Sequence, residues 1–140
     1  MKLSTKTRYG LRAMVDLARG YGNGRPISIS EVAKNQTLSE SYLEQLFSKL
    51  RKSGLVSSVR GAQGGYLLSR DPKEILTSEI IDSLEGPISL ADCVDYGSCE
   101  RGGCCPARFL WEKVSDSIER VTSSTTLWDI IEEYDRECTG

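Results

Sequence analysis

Three observations predict a mainly α-helical chain with one small β-hairpin, organised as a winged helix-turn-helix followed by a long dimerisation helix. Apolar residues recur at helical spacing in six segments, most of them opened by Ser, Thr or Pro. The β-rich stretch 55–69 bends at a run of glycines directly after the second of two closely joined helices. A helix beginning at Pro106 carries a stripe too long for one small domain to cover. At 140 residues one domain is the default, large enough to bury a real core.

In order along the chain, Ser4 caps a helix running to about Gly20, with Leu11, Met14, Val15 and Ala18 on one face and Tyr9, Ala13 and Leu17 widening it. Residues 20–26 are a turn-rich loop and Ile27–Ile29 a short extended piece. Ser30 caps a short helix from Glu31 to about Asn35, Thr37-Leu38 forms the turn, and Ser39 caps a second helix through Ser53, ended by Gly54. Tyr42, Leu43, Leu46, Phe47 and Leu50 form its apolar stripe; Glu40, Glu44, Gln45, Lys49, Arg51 and Lys52 face the other way. Strands at Leu55–Val59 and Tyr66–Ser69 flank the bend Arg60–Gly65, with Arg60 at the hairpin's base beside backbone flexible enough to approach a phosphate chain. Such a bend could also be a nucleotide-binding loop, but it lacks the Lys-Ser/Thr pair and the following helix. Asp71-Pro72 breaks the chain. Thr77 caps a helix from Ser78 to about Leu84, closed by Gly86-Pro87. Pro106 starts the long helix, whose stripe is Leu110, Trp111, Val114, Ile118 and Val121 and calls for a partner helix from a second subunit. Thr126 caps a last helix to about Glu137, with Leu127, Ile130, Ile131 and Tyr134 inward. The expected division is residues 1–86 as the DNA-binding unit, 87–106 as a cysteine-rich loop and 107–140 as the dimerisation and C-terminal helices.

Charge separates the two halves. Residues 1–72 carry twelve basic and five acidic side chains, net +7, whereas residues 73–140 carry six and fifteen, net −9. The overall charge of −2 hides a basic face able to bind phosphates. With helix pair and hairpin in sequence, this points to DNA. The absence of histidine excludes Ser-His-Asp triads, Cys-His nucleophiles and His-ligated zinc. Apolar runs of two or three residues exclude a membrane-spanning helix, and the N-terminus has no apolar stretch, so a cytoplasmic protein is expected.

Four of the five cysteines, Cys93, Cys99, Cys104 and Cys105, fall in one segment with glycines Gly97, Gly102 and Gly103; the fifth is Cys138. An odd count in a reducing compartment argues against disulfides. Thiolates suit zinc, copper(I) or an iron–sulfur cluster. No pair has the two-residue gap of a zinc knuckle, and the wider spacing suits a cluster; another metal and thiol chemistry at Cys104-Cys105 stay open.

The segment Ser41–Leu68, together with Ile88–Asp95 and the Trp111 helix, resembles the IscR-type family of iron–sulfur cluster regulators, over Lys2 to about Ile131. The resemblance implies a homodimeric winged-helix protein that binds a palindromic operator. It carries one [2Fe-2S] cluster per subunit and controls cluster-assembly genes. It further implies recognition-helix residues at Ser41, Glu44 and Gln45, a wing arginine at Arg60, and cluster ligands at Cys93, Cys99 and Cys105. The family's histidine, three residues after the third cysteine, is Arg108 here, which leaves the fourth ligand among Cys104, Cys138 and an oxygen donor. Two rivals remain. One is a same-family regulator answering nitric oxide or cysteine metabolism, whose partner-enzyme-binding members tend to lack the cysteine loop. The other is a thiol redox protein or small electron carrier, which has no use for a basic first half.

Overall fold

The computed structural model describes residues 3–88, 90 and 105–138; the expected ligands Cys93 and Cys99, and Cys104, lie outside them. Helix α1 spans Thr5–Arg19, and the Ser4 hydroxyl accepts from the Thr7 N–H, as the cap pattern predicts. Glu85 reaches the same helix start from the chain's return. Its carboxylate accepts from the Ser4 N–H at 3.3 Å, the Thr7 hydroxyl at 2.5 Å and the Ser4 hydroxyl. Helix-start N–H groups favour a negative charge there. The hydrogen bonds from the Ser4 and Thr7 side chains hold the Glu85 carboxyl below its ordinary range.

Helix α2 spans Ile29–Gln36 and α3 spans Glu40–Lys52. Ser28, not Ser30, caps α2: its hydroxyl accepts from the Glu31 N–H at 3.1 Å, and Ser28-x-x-Glu31 has the capping-box spacing. The turn between them places Thr37 in the left-handed region at φ 57°, ψ 49°. A β-branched residue is rare there, and both Thr37 and Leu38 donate N–H groups to the Ala33 carbonyl. Ser39 caps α3 as expected, accepting from the Tyr42 N–H.

Strands β1, Val56–Val59, and β2, Gly65–Leu68, pair antiparallel with Val56 opposite Leu68 and Val59 opposite Gly65. Ile27 adds a bridge on the other side of β2, exchanging both backbone hydrogen bonds with Tyr66. Of the expected extended piece only Ile27 pairs; Ile29 already belongs to α2. A 3₁₀ turn at Pro72–Glu74 leads into α4, Thr77–Leu84. Thr77 is not its cap but its first residue, with Leu76 at the cap position. Helix α5 spans Pro106–Thr122 and α6 spans Leu127–Cys138, where the Thr126 hydroxyl and the Asp129 carboxylate cap each other's N–H groups.

One core joins these elements apart from α5. Met14, Val32, Leu43, Leu46, Phe47, Leu50, Leu55, Ile75, Ile80 and Leu127 are fully buried, each worth about 1.5–3 kcal/mol relative to exposure. Leu127 and Ile131 belong to it, so α6 packs against α1 and the 3₁₀ turn of the winged unit. Tyr134 was expected inward but is exposed; its ring instead carries the Arg19 guanidinium at 5.5 Å. None of the residues of α5 is buried, and Phe109, Leu110, Trp111 and Val121 are exposed. No helix among the described residues is long and apolar enough to cross a membrane.

Candidate nucleic-acid interface

The apolar stripe of α3 decides which residues face outward. Leu43, Leu46, Phe47 and Leu50 are buried, so Ser41, Glu44 and Gln45 emerge together on the opposite face, at the i, i+3, i+4 positions that share one side of a helix. All three are exposed, with Lys49 and Lys52 further along the helix also exposed. This face begins two residues after the Ser39 cap, in the first turn of α3.

The hairpin is fixed to α3 from behind. The Tyr66 ring stacks on Phe47, centroids 4.6 Å apart and planes 13° apart, tying β2 to the buried side of α3. The Ser58 hydroxyl on β1 lies 3.5 Å from Arg51 of α3. Arg60 is exposed and opens the loop joining the strands, at the far end of β1 from α3 rather than at the hairpin's base. Two of the glycines, Gly64 and Gly65, answer first to the chain's own packing. A Cβ on Gly64 would lie 2.2 Å from the Val59 carbonyl oxygen, and one on Gly65 would lie 2.3 Å from that of Ile27.

A third contributor was hidden in the sequence. Tyr42 reads as part of the α3 stripe, yet it is half-buried: its hydroxyl lies 3.5 Å from the Thr5 hydroxyl and its ring meets Tyr9 edge-on at 6.3 Å. Arg12 covers Tyr9 at 5.4 Å. The basic first half of α1 is thereby packed beside the first turn of α3. The signal that could have found this is chemical, since a tyrosine at the edge of an apolar stripe carries a hydroxyl that needs a partner.

Of the cysteines expected at a cluster, Cys105 is described. It sits at the cap position of α5, half-buried, free of any disulfide, with its carbonyl accepting from the Arg108 N–H at 3.1 Å. Arg108 is held along the helix by Glu112, Nε to Oε1 2.9 Å. Cys138 is exposed in the last turn of α6. Among the described residues no three His, Cys, Asp or Glu side chains form a metal-binding group. The donor set as chemistry, four thiols within thirteen residues ending at an accessible Cys105, fits a soft metal centre.

A helix pair with a tight turn, an outward polar face on its second helix and a hairpin stacked on that helix define a winged helix-turn-helix protein. A family model described as "Rrf2: Iron-dependent Transcriptional regulator" matches residues 3–133. The chain belongs to this Rrf2 family of DNA-binding transcriptional regulators. It is 44% identical to the HTH-type transcriptional regulator CymR of Bacillus subtilis (strain 168), over 98% of this chain and 94% of that one. It is 40% identical to the HTH-type transcriptional regulator IscR of Escherichia coli (strain K12 / DH10B), over 94% and 80%. Among solved structures it resembles CymR (YrzC), the global cysteine regulator of B. subtilis, with a TM-score of 0.83, 46% identity and coverage of 95% and 98%. It also resembles T. potens IscR, with a TM-score of 0.81, 44% identity and coverage of 100% and 93%.

Proposed function

We propose that the chain is a cytoplasmic, homodimeric regulator that binds an imperfect palindrome and reports iron–sulfur cluster status through a [2Fe-2S] cluster, controlling cluster-assembly genes. The observation that carries the cluster reading is the grouping of Cys93, Cys99, Cys104 and Cys105 in the segment that ends at α5. Residues 1–86 form the DNA-binding unit, with α6 packed on it; residues 87–106 hold the cluster; α5 pairs the subunits. Cys93, Cys99 and Cys105 hold the cluster, which when bound supplies a redox- and availability-sensitive centre.

On DNA, α3 lies in the major groove. Gln45 hydrogen-bonds a base edge and Ser41 supports it. Glu44, a carboxylate facing a polyanion, accepts only from donors such as cytosine N4 and so works by rejecting other sequences. Arg60 on the wing meets a phosphate or the adjacent minor groove.

The test is visible absorbance with iron and sulfide content for anaerobically prepared protein and its five single Cys→Ala variants. Cys93→Ala, Cys99→Ala and Cys105→Ala should each lose the cluster. Cys104→Ala and Cys138→Ala should keep it with at most a shifted spectrum. Complete loss in either of the last two would make that cysteine the fourth ligand. A second reading, a regulator answering cysteine metabolism, is favoured by the 44% identity to CymR. Intact operator binding by a protein that takes up neither iron nor sulfide would decide for it.

A further inference from the structure

Among the described residues, helix α5 meets the winged unit through its C-terminal half, where Ser115, Ile118 and Thr122 line a cleft shared with Ser78 and Ile81 of α4. Its described contacts with the winged unit run to α4, and none of its residues is buried. At its C-terminal end, three hydrogen bonds join residues 122–127 to residues 75–77. The Thr77 N–H donates to the Thr125 carbonyl at 2.9 Å, the Leu127 N–H donates to the Ile75 carbonyl at 2.9 Å, and the buried Thr77 hydroxyl donates to the Thr122 carbonyl at 2.8 Å. Leu76 and Thr126 pair as an antiparallel bridge between them. The hydroxyl bond meets one of the carbonyls a helix leaves free at its C-terminus.

The same segment is tied to the wing from its other side. Glu79 accepts from the Leu76 N–H at 2.9 Å through Oε2 and from Arg70 at 2.8 Å through Oε1. Arg70 lies two residues beyond β2 and also donates to the Glu74 carbonyl at 3.2 Å. The joint thus stands between the wing and the far helix.

We infer that Thr77 is a positioning residue that sets the half-site spacing of the operator, by fixing the angle of α5 to the DNA-reading unit. The inference rests on the proposed dimerisation through α5. Seventeen helical residues rise about 25 Å at roughly 1.5 Å each. Freedom of a few degrees at the joint is therefore multiplied along the helix and counted once in each subunit. Lengthening an operator by one base pair displaces a half-site by about 3.4 Å and turns it by about 35°, so a stiff joint discriminates sharply between spacings and a loose one does not.

The experiment uses Thr77→Val, which keeps the shape and removes the hydroxyl, and Thr77→Ser, which restores it. An operator is first selected by the wild-type protein from randomised duplexes. Its centre is then lengthened or shortened by one and two base pairs, and a single half-site serves as control. Thr77→Val should remain a dimer and bind the half-site as wild type does. Its preference for the selected spacing over the altered ones should fall by about tenfold, equivalent to about 1.4 kcal/mol, and Thr77→Ser should recover it. Should Thr77→Val not fold, the part-exposed Glu79→Gln loosens the same segment and carries the same expectation. A folded, dimeric variant with unchanged spacing preference overturns the role of the joint alone. A wild-type protein that sediments as a monomer with and without DNA overturns it together with the dimer reading.

Discussion

At the scale of residues, the outward face of α3 and the wing separate two kinds of contact. Gln45 is exposed in the middle of a face whose backbone is locked by four buried neighbours, so its loss should act on DNA and not on folding. Gln45→Ala should cost about 1–3 kcal/mol at particular base pairs. Arg60→Ala should weaken binding to all sequences and lower the salt slope by about one. Fluorescence anisotropy across a salt series checks both, and wild-type behaviour of both variants would remove these residues from the interface. Glu85 belongs to folding instead. Its carboxyl is held below its ordinary value of 4.5 by the Ser4 and Thr7 hydroxyls. A depressed folded value means stabilisation that is fully present above the unfolded value and lost as pH falls through the folded one. Glu85→Gln should therefore lower Tm at neutral pH, and the gap from wild type should narrow as pH falls below the ordinary carboxyl value and close below the depressed folded one. A constant gap would show that the charge is irrelevant.

At the scale of elements, the wing depends on a close approach. A Cβ at Gly65 would sit 2.3 Å from the Ile27 carbonyl oxygen, inside the bridge that anchors β2. Gly65→Ala should destabilise the fold by about 1–3 kcal/mol, read as a lowered midpoint in urea, whereas Ala62, exposed in the same loop, should accept serine without effect. The strands and the long helices were legible in the sequence because period and punctuation agree there. Ser4, Ser39, Pro106 and Thr126 all mark helix starts where the structure has them. What was not legible is tertiary. The cap of α2 is a partial exception: the spacing Ser28-x-x-Glu31 is readable locally and favours Ser28 over Ser30, while the Ile27 bridge to Tyr66 that fixes the chain just before it is tertiary. Thr77 looks like a cap until its hydroxyl is seen donating to Thr122, forty-five residues away. The recognition face followed from the α3 stripe, but the packing of Tyr9 and Arg12 beside Tyr42 links separate helices, and no local pattern encodes it.

At the scale of the whole molecule, α5 is the element with the least reason to fold as it stands. Core helices of this chain each bury apolar residues, as α3 does with Leu43, Leu46, Phe47 and Leu50, whereas α5 presents Phe109, Leu110, Trp111 and Val121 to solvent at 61%, 54%, 40% and 60% exposure. Leu110 and Val121 lie on one side of the helix, with Val114 and Ile118 between them and Trp111 at the edge, whereas Phe109 points away from it; apolar side chains aligned this way mark an interaction surface. A second copy presenting the same face would bury it by two-fold symmetry, the commonest arrangement for a small homo-oligomer, and the same symmetry would place two α3 helices on the halves of a palindrome. A substitution on this face therefore separates assembly from folding. Leu110 is exposed and stands outside the core of the described residues, and exposed positions usually change stability by less than about 0.5 kcal/mol. The variant should keep its helical circular dichroism and its cooperative unfolding. Sedimentation at micromolar concentration should show wild type as a dimer and the variant as a monomer, and the variant's binding to a two-half-site operator should fall to the level of a single half-site. A dimeric Leu110→Asp with unchanged operator affinity would place the subunit contact elsewhere.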